Sequence, residues 1–224
     1  VAMAVLRCRT NWEQVLIPAF VFFFQKLYPF AWINDPRRKT AGAAGGCMLV
    51  RCTAIDEAGG IRAIHDQIID DCALAATIKP QAPIKLYLAT KTRSLRTYAR
   101  LTDIWHMVRR TAFVQLRQSV LALLGTAIAM LIVYGGPPLT AVWGMFTGNS
   151  QIWVPGLAAW IMMTVAYLPT VIRYGLPGWR AYFLPLAAFL YVLMTVDSAR
   201  LYLFGRAPVW KGRHYSPRAR VQRT

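Results

Sequence analysis

Acidic residues almost vanish from this chain after its first hundred positions. Of nine Asp and Glu, eight lie no later than Asp103 and only Asp197 follows; 26 Lys and Arg leave the 224 residues with a formal charge of +17. From Val120 to Ile172 there is no charge of either sign. Charged residues make up 16% of the chain and hydrophobic ones 56%, against about 25% and 45–50% in soluble domains. Mean hydropathy is +0.37. These values exclude a disordered chain, a collagen and a disulfide scaffold, and they argue against a wholly soluble domain. Cys8, Cys47, Cys52 and Cys72 form no CxxC pair and have no His at zinc-finger spacing, so they read as reduced thiols facing the cytosol. His65, His106 and His214 stand alone, which leaves no Ser-His-Asp set. There is no DxD, no GxxxxGK[ST] and no dinucleotide fingerprint. Nucleic-acid binding would account for the +17 but not for the apolar half, and no nucleic-acid partner is expected. The chain starts at Val1 without a signal peptide, and the expectation is a fragment whose N-terminus lies upstream.

What is present begins with the apolar runs. Residues 120–137, 152–172 and 181–204 predict three membrane helices, the third weakened by Pro185, Asp197 and Arg200. Arg109, Arg110 and Arg117 precede the first run, the Pro138–Gln151 loop is uncharged, and Arg173 and Arg180 flank the next loop. By the positive-inside rule the polar half faces inward. The tail, 206–224, carries six basic residues and votes for the same side, which three crossings do not allow. A re-entrant or interfacial third segment would resolve that conflict. Two further stretches, about 15–33 and 101–119, read as interfacial helices. In the first, aromatics stand beside Lys26 and the run is broken by Pro18 and Pro29; in the second, Leu101, Ile104, Trp105, Val108, Ala112, Phe113 and Leu116 recur at helical spacing.

Between them, residues 34–100 read as an α/β-like segment. Gly42-Ala-Ala-Gly45-Gly46 leads into Cys47–Arg51, a short buried strand by its pattern, and Ile84–Leu88 alternates like a second. GAAGG is either a plain tight turn or a segment lining a substrate. Arg37-Arg38-Lys39 is either a solvated face or a contact for substrate or headgroup phosphates. The Ile68–Lys79 stretch predicts a helix opened by Asp70-Asp71. One carboxylate there can cap free backbone N–H groups, or can stay ionised and take a proton from an alcohol.

In order, interfacial helix, GG-strand, GG turn, Asp-Asp helix, basic amphipathic helix and spans resemble the membrane-bound family 2 glycosyltransferases. The hopene-associated subgroup is the nearest likeness, through FVFFFQKLYPFAWINDPRRKTAGAAGGCMLV, GGIRAIHDQIIDDCALA, RTAFVQLRQS and WKGRHY. The resemblance implies that residues 1–118 are the C-terminal part of a GT-A-like α/β domain, that 120–205 are transmembrane and that 206–224 are a basic tail. It implies inverting transfer from a nucleotide-diphosphate sugar to a lipid acceptor, of hopanoid type, at the cytosolic face of a bacterial inner membrane. Asp71 would be the general base, oriented by Asp70; Gly45, Gly46, Gln115 and Arg117 would meet substrate, and Arg37 and Arg38 a phosphate or headgroup. The family's Q/RxxRW motif is matched only by Gln115, since Gln118 and Ser119 stand where it has Arg and Trp. A divalent Mg or Mn is implied, with ligands outside this chain. A non-catalytic basic membrane adaptor and a polysaccharide synthase of the same superfamily remain the competing classes.

Overall fold

The computed structural model describes residues 1–204, 209–210 and 213–214, which fall into two units. The first comprises Val1–Arg7, Phe23–Thr97 and Ala207–Thr224; the second comprises Cys8–Phe22 and Tyr98–Arg206. Part of the tail, 206–224, thus lies outside the described residues; 209–210 and 213–214 form a small antiparallel pair.

In the first unit β1 (Ala2–Val5) pairs in parallel with β2 (Tyr87–Arg93), with a bulge between Met3 and Val5. Three helices accompany this pair: α2 (Phe30–Asn34), α3 (Cys52–Glu57) and α4 (Asp70–Ile78). The α/β expectation is therefore met by two strands in a mostly helical chain. The expected strand at Cys47–Arg51 does not form. Its alternation is real, since Met48 and Val50 pack on the Ile64, Leu74 and Ile78 cluster while Leu49 is 94% exposed. Cys47 offers its carbonyl to the Ala2 amide, yet residues 48–51 join no ladder, and a strand exists only where a neighbour completes its hydrogen bonds. The second strand starts at Tyr87 rather than Ile84, because the Asn34 amide takes the place of a strand beside Leu86. Its Oδ1 accepts from the Leu86 N–H at 2.7 Å and its Nδ2 donates to the Leu86 carbonyl at 3.0 Å.

The second unit holds the apolar helices. Helix α1 (Asn11–Leu27) opens on a reciprocal cap: Thr10 Oγ1 accepts from the Glu13 N–H, and Glu13 Oε2 accepts from the Thr10 and Arg9 N–H groups. Glu13 is buried, and its Oε1 takes the Tyr98 N–H at 2.8 Å. Much of the apolar surface that suggested a headgroup position is covered by protein. Leu16, Ile17, Ala19 and Val21 are buried, Phe22 meets the Tyr167 ring edge-on at 5.2 Å, and the Tyr191 hydroxyl donates to the Leu16 carbonyl.

Helix α5 (Leu101–Gln115) is amphipathic as its periodicity predicts, burying Ile104, Val108 and Phe113. Three helical stretches are long and apolar enough to cross a membrane: Val120–Phe146, Ser150–Arg173 and Gly178–Leu203. The first is made of α6 (Val120–Met130), a π-helical turn at Leu131–Gly135 and α7 (Gly136–Phe146). The uncharged Pro138–Gln151 segment is thus mostly helix, not a loop. Pro137 and Pro138 stand in the first turn of α7, where a missing N–H costs little, and the π turn absorbs the mismatch just before them. Little of this stretch is covered by protein: Leu121 is 82% and Phe146 85% exposed, surface that a hydrocarbon environment accommodates. The third stretch, a short 3₁₀ turn at Gly178–Phe183 and α9 (Leu184–Leu203), is unbroken. It contains no re-entrant turn, because Pro185 falls at the start of α9, where it breaks nothing, and Asp197 is paired.

α7 and α8 (Ser150–Arg173) form a tight hairpin through Gly148, whose φ of +67° a side chain would strain. Two glycines let the helices touch. A Cβ on Gly156 would lie 2.6 Å from the Ala141 nitrogen, and one on Gly144 would run into the Trp153 backbone. Gly156→Ala should therefore cost about 1–3 kcal/mol, the range for overpacking. Thermal unfolding in detergent should show it as a lowered midpoint, whereas Gly125→Ala, inside α6 with open space around it, should hold or raise the midpoint.

Candidate functional site

Asp70 and Asp71 are the first two residues of α4, following Ile69, whose apolar side chain offers no cap. Helix starts leave N–H groups without partners, and here the two acids take them. Asp70 Oδ1 accepts from the Asp71 N–H at 2.9 Å, and Asp71 Oδ1 from the Cys72 N–H at 2.7 Å. The capping role is thus filled by both. Asp71 does something further: its Oδ2 accepts from the Gly45 N–H at 2.7 Å, across 26 residues of sequence. That bond docks the GAAGG loop on the start of the Asp-Asp helix. A Cβ on Gly45 would lie 3.2 Å from the same oxygen, so a small residue is needed there.

Gly46 has nothing within 4 Å of where a Cβ would sit and does not join this contact. Gly42 serves packing instead, since a Cβ there would press on the Tyr28 ring at 2.7 Å. Cys72 Sγ reaches the Ala43 carbonyl at 3.5 Å, a second tie between loop and helix.

Burial pushes the Asp71 carboxyl above the ordinary aspartate range, and the charge of Asp70 adds to the rise. The N–H groups of Cys72 and Gly45 oppose it. With two N–H donors bound, a carboxylate still has lone pairs to take a proton. The Cys72 thiol is pushed up to about 11, by burial first and then by the neighbouring Asp71 charge. It is unreactive near neutral pH.

Arg37 and Arg38 follow α2. Arg37 is 89% exposed at its side chain, and its Nε pairs with Asp35 at 3.2 Å; the Arg38 guanidinium lies over the Trp32 ring at 5.1 Å. The N–H and then the side chain of Arg37 hold the Asp35 carboxyl below its ordinary range. Lys79, which the sequence does not single out, holds this corner. Its Nζ donates to the Ile33 and Asp35 carbonyls and, at 3.2 Å, to that of Trp32, satisfying the end of α2.

Gln115 and Arg117 belong to the second unit. Gln115 closes α5, and Arg117 and Gln118 follow with φ of +54° and +55°, the left-handed region that side chains disfavour. There the Arg117 N–H donates to the Val114 carbonyl and the Gln118 N–H to that of Phe113. Helix α5 itself is fastened to α9: Trp105 Nε1 donates to Asp197 at 2.9 Å, Arg109 pairs with Asp197 at 3.4 Å, and Ser198 Oγ accepts from the Phe113 N–H at 3.0 Å. Among the described residues no three His, Cys, Asp or Glu side chains come together to hold a metal ion.

A carboxylate with spare lone pairs, docked against a glycine loop, in a chain with three membrane-length helices suits group transfer at a membrane. The chain belongs to glycosyl transferase family 21, whose family model matches residues 29–220. It is a glycosyltransferase, which implies a nucleotide-sugar donor and an acceptor. The match is to family 21 and does not itself show family 2 or the hopene-associated subgroup. Comparison with curated proteins and with solved structures gave no match.

Two outcomes follow from these contacts. Asp71→Asn removes a charge beside Cys72, so alkylation of Cys72 should begin at lower pH in the variant, read by mass spectrometry with exposed Cys52 as the reference. Arg117→Gly should stabilise the fold by up to about 1–2 kcal/mol through relief of one left-handed side chain, read as a raised thermal midpoint.

Proposed function

We propose that the chain carries the acceptor side and the catalytic base of an inverting transfer from a nucleotide-diphosphate sugar to a lipid hydroxyl. The contact that carries this reading is the Asp71 carboxylate, with its raised pKa and its Gly45 tie. An alcohol attacks the anomeric carbon well only as its proton leaves, and a carboxylate within hydrogen-bond reach takes that proton. A raised pKa makes the Asp71 carboxylate a better base than that of an ordinary aspartate. Asp70 fixes the helix start by accepting the Asp71 N–H, which orients its neighbour. Three membrane-length helices in the same chain favour a lipid acceptor, since its hydroxyl is already held at the membrane. By resemblance the acceptor is hopanoid-like, the fold GT-A-like and the location the cytosolic face of a bacterial inner membrane. Gln115 and Arg117 would serve the donor diphosphate, and Arg37 and Arg38 would meet a substrate or headgroup phosphate.

Asp71→Asn keeps the size and removes the base, though with one amide oxygen it can accept only one of the two N–H bonds from Gly45 and Cys72. Transfer to a lipid acceptor by the native protein in membranes should fall by about 10²–10⁴-fold, with donor affinity near wild type. A variant with normal transfer would favour the non-catalytic adaptor, and polymeric product would favour a polysaccharide synthase.

The pH profile gives a separate check. The base form is lost as pH falls through the raised Asp71 pKa, so the acid limb of transfer should lie above the range of an ordinary aspartate. Asp70→Asn removes a charge that raises that pKa, and should move the limb to lower pH while costing less rate than Asp71→Asn.

A further inference from the structure

Between α8 and α9 the chain runs through Tyr174–Phe183, a turn that buries Ala181 and leaves its larger aromatic side chains partly exposed. Trp179, Tyr182 and Phe183 are 55%, 48% and 42% exposed. The Trp179 and Phe183 rings meet edge to face at 5.9 Å, and the Arg180 guanidinium lies over the Trp179 ring at 4.9 Å. Arg173 closes α8 just before the turn. No acid occurs in sequence between Asp103 and Asp197, so this turn carries one positive charge, with Arg173 beside it, and no carboxylate of its own. Two buried N–H donors here have no acceptor among the described residues. One is Nε of Arg180; the other is Nε1 of Trp160, whose ring packs against Tyr182 at 6.2 Å.

We propose that this turn binds the headgroup phosphate of an anionic phospholipid. It follows the Ser150–Arg173 stretch and opens the Gly178–Leu203 stretch, each long and apolar enough to cross a membrane, so its residues stand where two crossings meet the headgroups. Exposed Trp and Tyr favour that depth, where an apolar ring face and a polar edge are both satisfied. Arginine's planar fork matches phosphate oxygens, and stacking on Trp179 holds the fork in place. The inference is independent of the reaction assigned above, because it concerns neither Asp71 nor its loop.

The test is lipid retention by the purified full chain, read by native mass spectrometry. The protein in detergent is offered equal phosphatidylglycerol and phosphatidylcholine with identical acyl chains. Wild type should retain phosphatidylglycerol in preference. Arg180→Gln should cut that retention about fivefold, the factor expected for one basic contact to an anionic headgroup. Lys91→Gln, on the exposed end of β2, should retain as wild type. Arg180→Lys keeps the charge without the fork and should give an intermediate loss, which guards against misreading a folding defect. Equal retention of both lipids by wild type, or full retention by Arg180→Gln, would overturn the proposal. Displacement of the lipid by millimolar inorganic phosphate would make this a free-phosphate site and would overturn it too.

Discussion

A single carboxylate inside an apolar helix constrains the second unit more than any other group. Asp197 is the only acid after Asp103, and burying an unpaired charge costs several kcal/mol. Its oxygens are therefore met from three sides, by Trp105 Nε1, Arg109 and, one turn along its own helix, Arg200 at 3.1 Å. These partners are unequal. The Arg200 side chain is 71% exposed and water screens its contribution, whereas Arg109 at 29% and the indole N–H act where water is scarcer. Two of the three stand on α5, so satisfying Asp197 fastens the amphipathic helix along α9. The helix that ends at Gln115 is held by that need.

The same need explains how sequence and structure relate. A lack of charge is visible in the sequence, and so the three apolar stretches and the amphipathic period of Leu101–Gln115 were legible in it. What was not legible depends on a partner far along the chain. Met48 and Val50 alternate like strand residues, but only a neighbouring strand would make them one. Pro137 and Pro138 look like the end of a helix, yet at the first turn of α7 they begin one. Gly144 and Gly156 carry no signal of their own, because their meaning lies in the backbone each one faces. Lys79 is an ordinary helix-end lysine until α2 ends beside it with carbonyls exposed.

The Asp-Asp pair was legible as a helix start, and that much any such pair would show. Its local bonds, Asp70 to the Asp71 N–H and Asp71 to the Cys72 N–H, serve equally in a helix with no chemistry. The Gly45 contact is different in kind. It joins two motifs that the sequence offered separately, and it acts on the acid's proton affinity as well as on its position. Burial raises that affinity while the Gly45 and Cys72 N–H groups hold it down. The net rise makes the carboxylate more basic than one in open water, which suits a general base. Gly46, with open space around it, has no part in that balance.

Among the apolar helices the hydrophobic effect cannot choose partners, because lipid is as good a neighbour for leucine as another helix is. Two of the associations accordingly use what lipid cannot offer. Between α7 and α8 it is close backbone approach, with Gly144 against Trp153 and Gly156 against Ala141, so that dispersion acts over a dense contact. Between α5 and α9 it is polar: Asp197 with its cations, Ser198 Oγ to the Phe113 N–H, and the Tyr202 hydroxyl to the Arg110 carbonyl. The second kind reaches into the backbone of α5 at its last turns, where side-chain partners take up groups that a regular helix keeps to itself. A helix held that way has a fixed position along its axis as well as a fixed face. Apolar packing alone would fix the face and leave the position free, and it is the position that determines where Gln115 and the left-handed Arg117 stand relative to α9.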